Sequence, residues 1–174
     1  MASKSDEIRL TPTSFIVLGL LERRGVATPY ELKGLVAAGI GNFWSLQHAQ
    51  LYAETARLAS AGYLTEEREE KGRRRRLYRI TDSGRAALRE WVEAPTDELL
   101  ELRDLAMLKL FFGADPGRIA PAQLEAHRRR LAEYEHLRDQ VRAAGIGKGP
   151  LLTLEAGIDH EREFVRFWSK LAKG

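Results

Sequence analysis

Between residues 11 and 94 the chain carries three helix starts, a two-part β-forming run and a fourth helix start, each bounded by its own cap or glycine, and that order leaves few folds open. Thr11 caps a first helix over residues 11–24, Pro12 suits its first turn, and Gly25 closes it. The apolar stretch Phe15, Ile16, Val17, Leu18, Leu20 and Leu21 predicts burial on more than one face. Thr28-Pro29-Tyr30-Glu31 has the form of a capping box, in which the Thr28 hydroxyl and the Glu31 carboxylate satisfy each other's backbone N–H groups. The helix it opens runs through Leu32, Leu35 and Val36 and stops at Gly39 to Gly41. Ser45 is read as opening a third helix over 45–61, with Leu51, Thr55 and Leu58 facing inward, Gln47, His48, Gln50 and Glu54 on a polar side, and Gly62 as its end. Tyr63-Leu64-Thr65-Glu66 and Leu77-Tyr78-Arg79-Ile80 flank a turn containing Gly72 and read as a hairpin. Thr81 caps a fourth helix over 83–94 that carries Ala86, Ala87, Leu88 and Trp91.

Ala94-Pro95-Thr96 marks a boundary, which divides the chain into residues 1–95 and 96–174. Beyond it the pattern is helical throughout. Leu99, Leu100, Leu102, Leu105, Leu108 and Leu110 predict a helix over 97–112 ending in Phe111-Phe112, and Gly113 to Gly117 breaks it. Leu124, Leu131, Tyr134, Leu137 and Val141 form one stripe of a long helix over 121–144, close to a coiled-coil seam. A last helix, 151–172, sets Leu154, Ile158, Val165, Trp168 and Leu171 on one side. The fold class is mainly α: three helices, a hairpin and a helix, the outline of a winged helix-turn-helix, followed by a helical second half suited to pairing with another copy.

Charge separates the halves. Residues 1–95 hold 15 Lys/Arg against 12 Asp/Glu, while residues 96–174 hold 13 of each. Five arginines of the first half, Arg73, Arg74, Arg75, Arg76 and Arg79, fall within seven positions of the hairpin. A field is felt within about a Debye length, roughly 8–10 Å, so such clustering matters more than net charge for meeting a polyanion. Glu66, Glu67, Glu69 and Glu70 on the same hairpin leave open a balanced, merely solvated surface. With no cysteine, disulfides and thiolate chemistry are excluded. The absence of a long apolar run or a signal-peptide core predicts a cytoplasmic protein without a membrane segment.

The major groove of DNA admits one helix, and a helix-turn-helix protein reads base edges with the start of its recognition helix. The third helix is the candidate. Gln47, His48 and Gln50 can hydrogen-bond base edges; Ser45, Tyr52, Arg73, Arg74, Arg75 and Arg76 are candidates for phosphate contact. Phe43-Trp44 is expected to plug the core ahead of the helix. Trp91, Phe111 and Trp168 are candidates for a pocket taking a small aromatic or hydrophobic effector, with packing as the plainer role. His127 and His136, nine apart on one helix, face opposite ways and cannot share a metal; Asp159, His160 and Glu163 are a weak ligand set. No phosphate-cradling loop, nucleophile elbow or zinc-protease motif is present, so no cofactor and no enzymatic activity are expected. The alternative is a winged helix that meets an acidic protein and binds DNA without sequence preference.

The ordered set Phe15-Ile16-Val17-Leu18-Gly19-Leu20-Leu21, Tyr30-Glu31-Leu32, Phe43-Trp44-Ser45, His48-Ala49-Gln50-Leu51-Tyr52, Ala61-Gly62-Tyr63-Leu64, the segment from Gly72 to Thr81, and Gly84 resembles the PadR family of bacterial transcriptional regulators over about residues 11–90. The second half is similar to the C-terminal domain of the longer PadR subgroup, including the late Trp168. Two departures lie at helix starts: Trp44 passes directly to Ser45 where many relatives carry a proline, and Pro29 precedes Tyr30 where a glycine is usual. The resemblance implies a homodimeric repressor on an inverted-repeat operator in double-stranded DNA, released by a phenolic or hydrophobic small molecule.

Overall fold

The computed structural model describes residues 8–69 and 74–173. They form two compact units, Met1–Asp97 and Glu98–Gly174.

In the first unit, helix α1 (Pro12–Arg24) is the hub and touches α2 (Pro29–Ala37), α3 (His48–Ser60), α4 (Asp82–Glu93) and two strands. Its apolar run explains this, since Val17, Leu18 and Leu21 are wholly buried on one face and the partly buried Phe15 and Ile16 carry the packing round to the other. The caps sit where local chemistry places them. The Ser14 N–H donates to Thr11 Oγ1 while the Thr11 N–H donates to Ser14 Oγ. Thr28 and Glu31 make the second reciprocal pair, at 2.7 and 3.2 Å. Gly25 closes α1 at φ 84°, a conformation that favours glycine.

The hairpin strands are β2 (Leu64–Arg68) and β3 (Arg76–Ile80), antiparallel with Glu66 opposite Tyr78 and Arg68 opposite Arg76. A strand that the sequence reading did not anticipate, β1 (Val26–Ala27), pairs with the other edge of β3, giving the sheet order β1-β3-β2. Two residues are too few to show alternation, so this strand leaves no periodic trace. Tyr78 and Ile80 turn inward to join Leu32, Leu51, Leu58 and Leu64 in the core.

Three expectations for this unit are corrected. The third helix begins at His48 rather than Ser45, after a 3-10 turn at Ile40–Asn42 and an extended stretch; the Gln47 N–H donates to Gln50 Oε1, the N3 half of a capping box, while Gln47 itself is outside the usual N-cap residues. Phe43 and Trp44 are exposed, Trp44 to 41%, and do not plug the core, whose volume Leu51, Leu58 and Leu32 already fill. Glu54 is buried rather than part of the polar side, because it is neutralised from within, as described below.

In the second unit α6 (Pro116–Ala143) and α7 (Lys148–Leu171) run antiparallel, as the pairs Arg142–Glu155 and Glu135–Arg162 show. Their stripes meet as the spacing predicts, with Ile158 buried and Leu124, Leu131, Tyr134, Leu137 and Val141 half-buried. Gly157 permits close approach: a Cβ there would stand 3.1 Å from the Tyr134 ring. Trp168 is wholly buried with Ala106 and Ala120 in a small core. The helix expected over 97–112 is only α5 (Leu105–Phe111). The reason is a cap: Asp104 Oδ1 accepts from the N–H groups of Ala106 and Met107, and a residue whose side chain serves the next turn cannot continue a helix from before it. Leu99, Leu100 and Leu102 are left exposed ahead of it. Among the described residues no helix is long and apolar enough to cross a membrane.

Candidate nucleic-acid interface

Helix α3 divides cleanly. Leu51, Thr55 and Leu58 are buried, while Gln47, His48, Gln50 and Tyr52 are exposed at its start, and Ser45 is exposed in the segment before it. The inner side also carries a polar anchor. The Ser14 hydroxyl of α1 donates to Glu54 Oε1 at 2.5 Å, and Arg57 donates to Glu54 through Nε (2.9 Å) and Nη2 (2.6 Å). Arg57 also reaches the Ser14 hydroxyl and the carbonyl of Arg9. Burial pushes the Glu54 carboxyl up, and the hydrogen bonds from Arg57 and Ser14 with the Arg57 charge more than offset this, so its pKa lies below the ordinary range. The recognition-helix candidate is thereby fastened to α1 by charge-assisted bonds as well as by leucines.

The hairpin presents Arg74, Arg75, Arg76 and Arg79 as exposed side chains; the expectation for Arg73 lies outside the described residues. Arg74 has a φ of 46°, uncommon for a residue with a Cβ and typical of a turn. The arginines are not all solitary. Arg75 makes a two-pronged contact with Glu69, at 3.0 and 2.7 Å. Glu66 accepts from Arg68 at 3.2 Å, lies 3.6 Å from Arg76 Nε, and accepts the Tyr78 hydroxyl at 3.0 Å. A hydrogen bond from Arg75 holds the Glu69 carboxyl below its ordinary pKa.

The aromatic candidates fall in different places. Trp91 lies in the first unit, stacked on Phe15 with centroids 4.6 Å apart. Phe111, in the second, is 82% exposed, and Trp168 is wholly buried. The second unit holds a cleft of about 520 Å³, lined among others by Leu102, His127, Arg129, His160, Glu161 and Phe164. Glu161, only 3% exposed, accepts from His127 Nδ1 at 2.5 Å, and the Phe164 ring lies against both His127 and His160. The sequence reading missed this pair, because nothing local links residues 34 apart. Among the described residues no group of three or more metal-ligating side chains is gathered. Asp159 and Glu163 instead face Arg162 and Arg166.

A three-helix body, a helix with an exposed polar start and a cationic hairpin together define a winged-helix DNA-binding protein. Residues 17–90 match the transcriptional regulator PadR-like family, and residues 102–173 match the virulence activator alpha C-terminal family. Residues 17–90 are thus a PadR-like domain, and the region after it fits the C-terminal part of the longer members of that family, a family of transcriptional regulators. The negative transcriptional regulator PadR of Bacillus subtilis is 27% identical over 167 residues, covering 87% of this chain and 90% of that protein. The crystal structure of Bacillus subtilis PadR in complex with operator DNA superposes with a TM-score of 0.81 at 24% identity, over 96% of this chain and 100% of that one. The same protein in complex with p-coumaric acid gives 0.75 at 24% identity, over 95% and 98%.

Proposed function

We propose that this DNA-binding regulator is a cytoplasmic homodimeric repressor of an inverted-repeat operator, released by a small aromatic or hydrophobic effector. The observation that carries the reading is the exposed Gln47-His48-Gln50 start of α3 in the same unit as the arginine hairpin. Gln47, His48 and Gln50 read bases; Ser45, Tyr52 and Arg73 to Arg76 hold phosphates. Residues 1–95 bind DNA and residues 96–174 pair the two copies, the exposed Leu99, Leu100, Leu102, Phe111 and Phe112 supplying apolar surface for a partner. The named relatives support repression and a phenolic effector. Trp91, Phe111 and Trp168 remain effector candidates, and the cleft at His127, His160 and Phe164 adds aromatic and basic groups suited to a planar acid.

Fluorescence anisotropy on DNA from immediately upstream of the gene, against a scrambled duplex, tests this. Saturation at two chains per duplex is expected, with a preference of about a thousandfold and a log–log salt slope of roughly −4 to −5 for four to six phosphates. Replacing Arg74 and Arg75 together by alanine weakens binding to both duplexes and flattens the slope. Replacing Gln47 instead relaxes preference at one base pair by about 1–3 kcal/mol. Equal affinity for both duplexes would overturn sequence-specific repression and favour an interaction module.

A further inference from the structure

A cationic hairpin suited to DNA has no evident use for a carboxylate locked onto one of its arginines. Yet Glu69 engages Arg75 with both oxygens, and the Arg75 carbonyl is tied as well, since it accepts from the Glu69 N–H at 3.1 Å. The side-chain and backbone bonds together close the base of the turn. A second carboxylate, Glu31 in the cap of α2, also acts on Arg75 electrostatically. Arg75 is therefore held by negative groups of its own chain before any phosphate arrives. Glu67, two positions away and exposed, makes no ion pair among the described residues, so it adds negative charge without holding an arginine.

We propose that Glu69 is an affinity-limiting residue of the wing: it competes with DNA phosphate for the Arg75 guanidinium and so keeps sequence-independent binding weak. This rests on the reading of the wing as the phosphate-holding element. A phosphate can take the two-pronged Nε–Nη2 edge of Arg75 only by displacing Glu69, and the displaced carboxylate then stands near the polyanion and draws a cation back; on the remaining Nη1 side the phosphate meets an arginine whose charge Glu69 already offsets. That reduces the net counterion release on which sequence-independent affinity depends. The base contacts of α3 do not carry this handicap, so the exchange weighs most on DNA where α3 finds no matching bases.

The test is a set of anisotropy titrations on the scrambled duplex at several salt concentrations, with Glu69→Gln, Glu67→Gln, Arg75→Ala and the double variant Glu69→Gln/Arg75→Ala. Glu69→Gln is expected to tighten binding about three- to tenfold at low salt and to steepen the salt slope by about one per protomer. Glu67→Gln, which removes the same charge without freeing an arginine, is expected to give a clearly smaller gain. The Glu69→Gln gain is expected to vanish in the Arg75→Ala background, as a double-mutant cycle requires of two groups that act through each other. Equal gains from Glu69→Gln and Glu67→Gln, or a gain that survives without Arg75, would overturn the proposal and leave only a general charge effect. Arg75→Ala weakening binding while Glu69→Gln is silent would overturn the restraint and keep the wing reading. If neither substitution has an effect, both fall. Unchanged thermal unfolding of each variant excludes misfolding as the cause.

Discussion

Replacing Gly84 with alanine is expected to destabilise the first unit by about 2 kcal/mol. The conformation is not the obstacle, since Gly84 lies in the first turn of α4 without a positive φ. Space is. A Cβ at this position would stand 2.4 Å from the Tyr63 carbonyl oxygen, 2.8 Å from Ile80 Cγ1 and 3.2 Å from Leu18 Cδ2. Ile80 and Leu18 belong to the wholly or nearly wholly buried core, and neither has room to retreat. The Tyr63 carbonyl is held by the Thr81 N–H at 3.1 Å and the Thr81 hydroxyl at 3.0 Å, and that hydroxyl also caps α4 by accepting from the Gly84 N–H. Relief of the clash therefore moves α4 away from the hairpin or breaks the cap. Alanine's better helix propensity, worth about 1 kcal/mol, offsets only part of this. Thermal unfolding followed by circular dichroism should show the first unit melting roughly 10 °C lower. Gly34→Ala is the matched control: it lies inside α2 with nothing within 4 Å of the added Cβ, and propensity alone should leave it neutral or slightly stabilised. Equal melting of the two variants would show that α4 shifts without cost.

The features legible in the sequence are those whose physical cause lies within a few residues. Thr11, Thr28 and Thr81 act as caps because a hydroxyl two or three positions from an orphan N–H is already within reach. Gly25 and Gly62 end helices at φ 84° and 82°, where a side chain is disfavoured. The hairpin and the inward Leu51, Thr55 and Leu58 follow from period alone. Asp104 carried a usable signal that the leucine spacing masked: an acid immediately before an apolar run is an N-cap, and it shortened the helix expected over 97–112. Asp115-Pro116 repeated the Thr28-Pro29 pattern and starts α6 five residues before the expected position. What could not be read is set by partners distant in sequence. Glu54 is buried against Ser14, 40 residues away, a contact that its local pair with Arg57 does not announce, and Glu161 against His127, 34 away. For the candidate interface this meant that residue types were legible on α3 and the hairpin, while the pairing of Arg75 with Glu69 was not.

Glu54→Ala is the second large effect expected, a loss of about 2–3 kcal/mol at neutral pH. The substitution strips Ser14 of an acceptor and Arg57 of both its carboxylate bonds, and Ser14 is wholly buried. The larger penalty of a fully buried pair does not apply, since the Arg57 side chain is 36% exposed and water can take over part of its bonding. The pH dependence separates charge from shape. The folded Glu54 carboxyl has a pKa below its ordinary value of 4.5, so its contribution is complete above that pH and disappears as the pH falls through the lower, folded value. Glu31, Glu66 and Glu69 are shifted in the same direction, so the wild type alone would not isolate Glu54. The difference between the wild type and Glu54→Gln does. In urea denaturation that difference should be constant from neutral pH to about pH 5 and shrink toward pH 3, as the protonated wild type comes to resemble the amide. A difference that stays flat over this range would mean that Glu54 holds α3 to α1 by hydrogen bonding alone, with no contribution from its ionisation. Because α3 carries Gln47, His48 and Gln50 on its outer side, the same substitution should erode discrimination between upstream and scrambled DNA before it erodes salt-dependent binding, which depends on the hairpin.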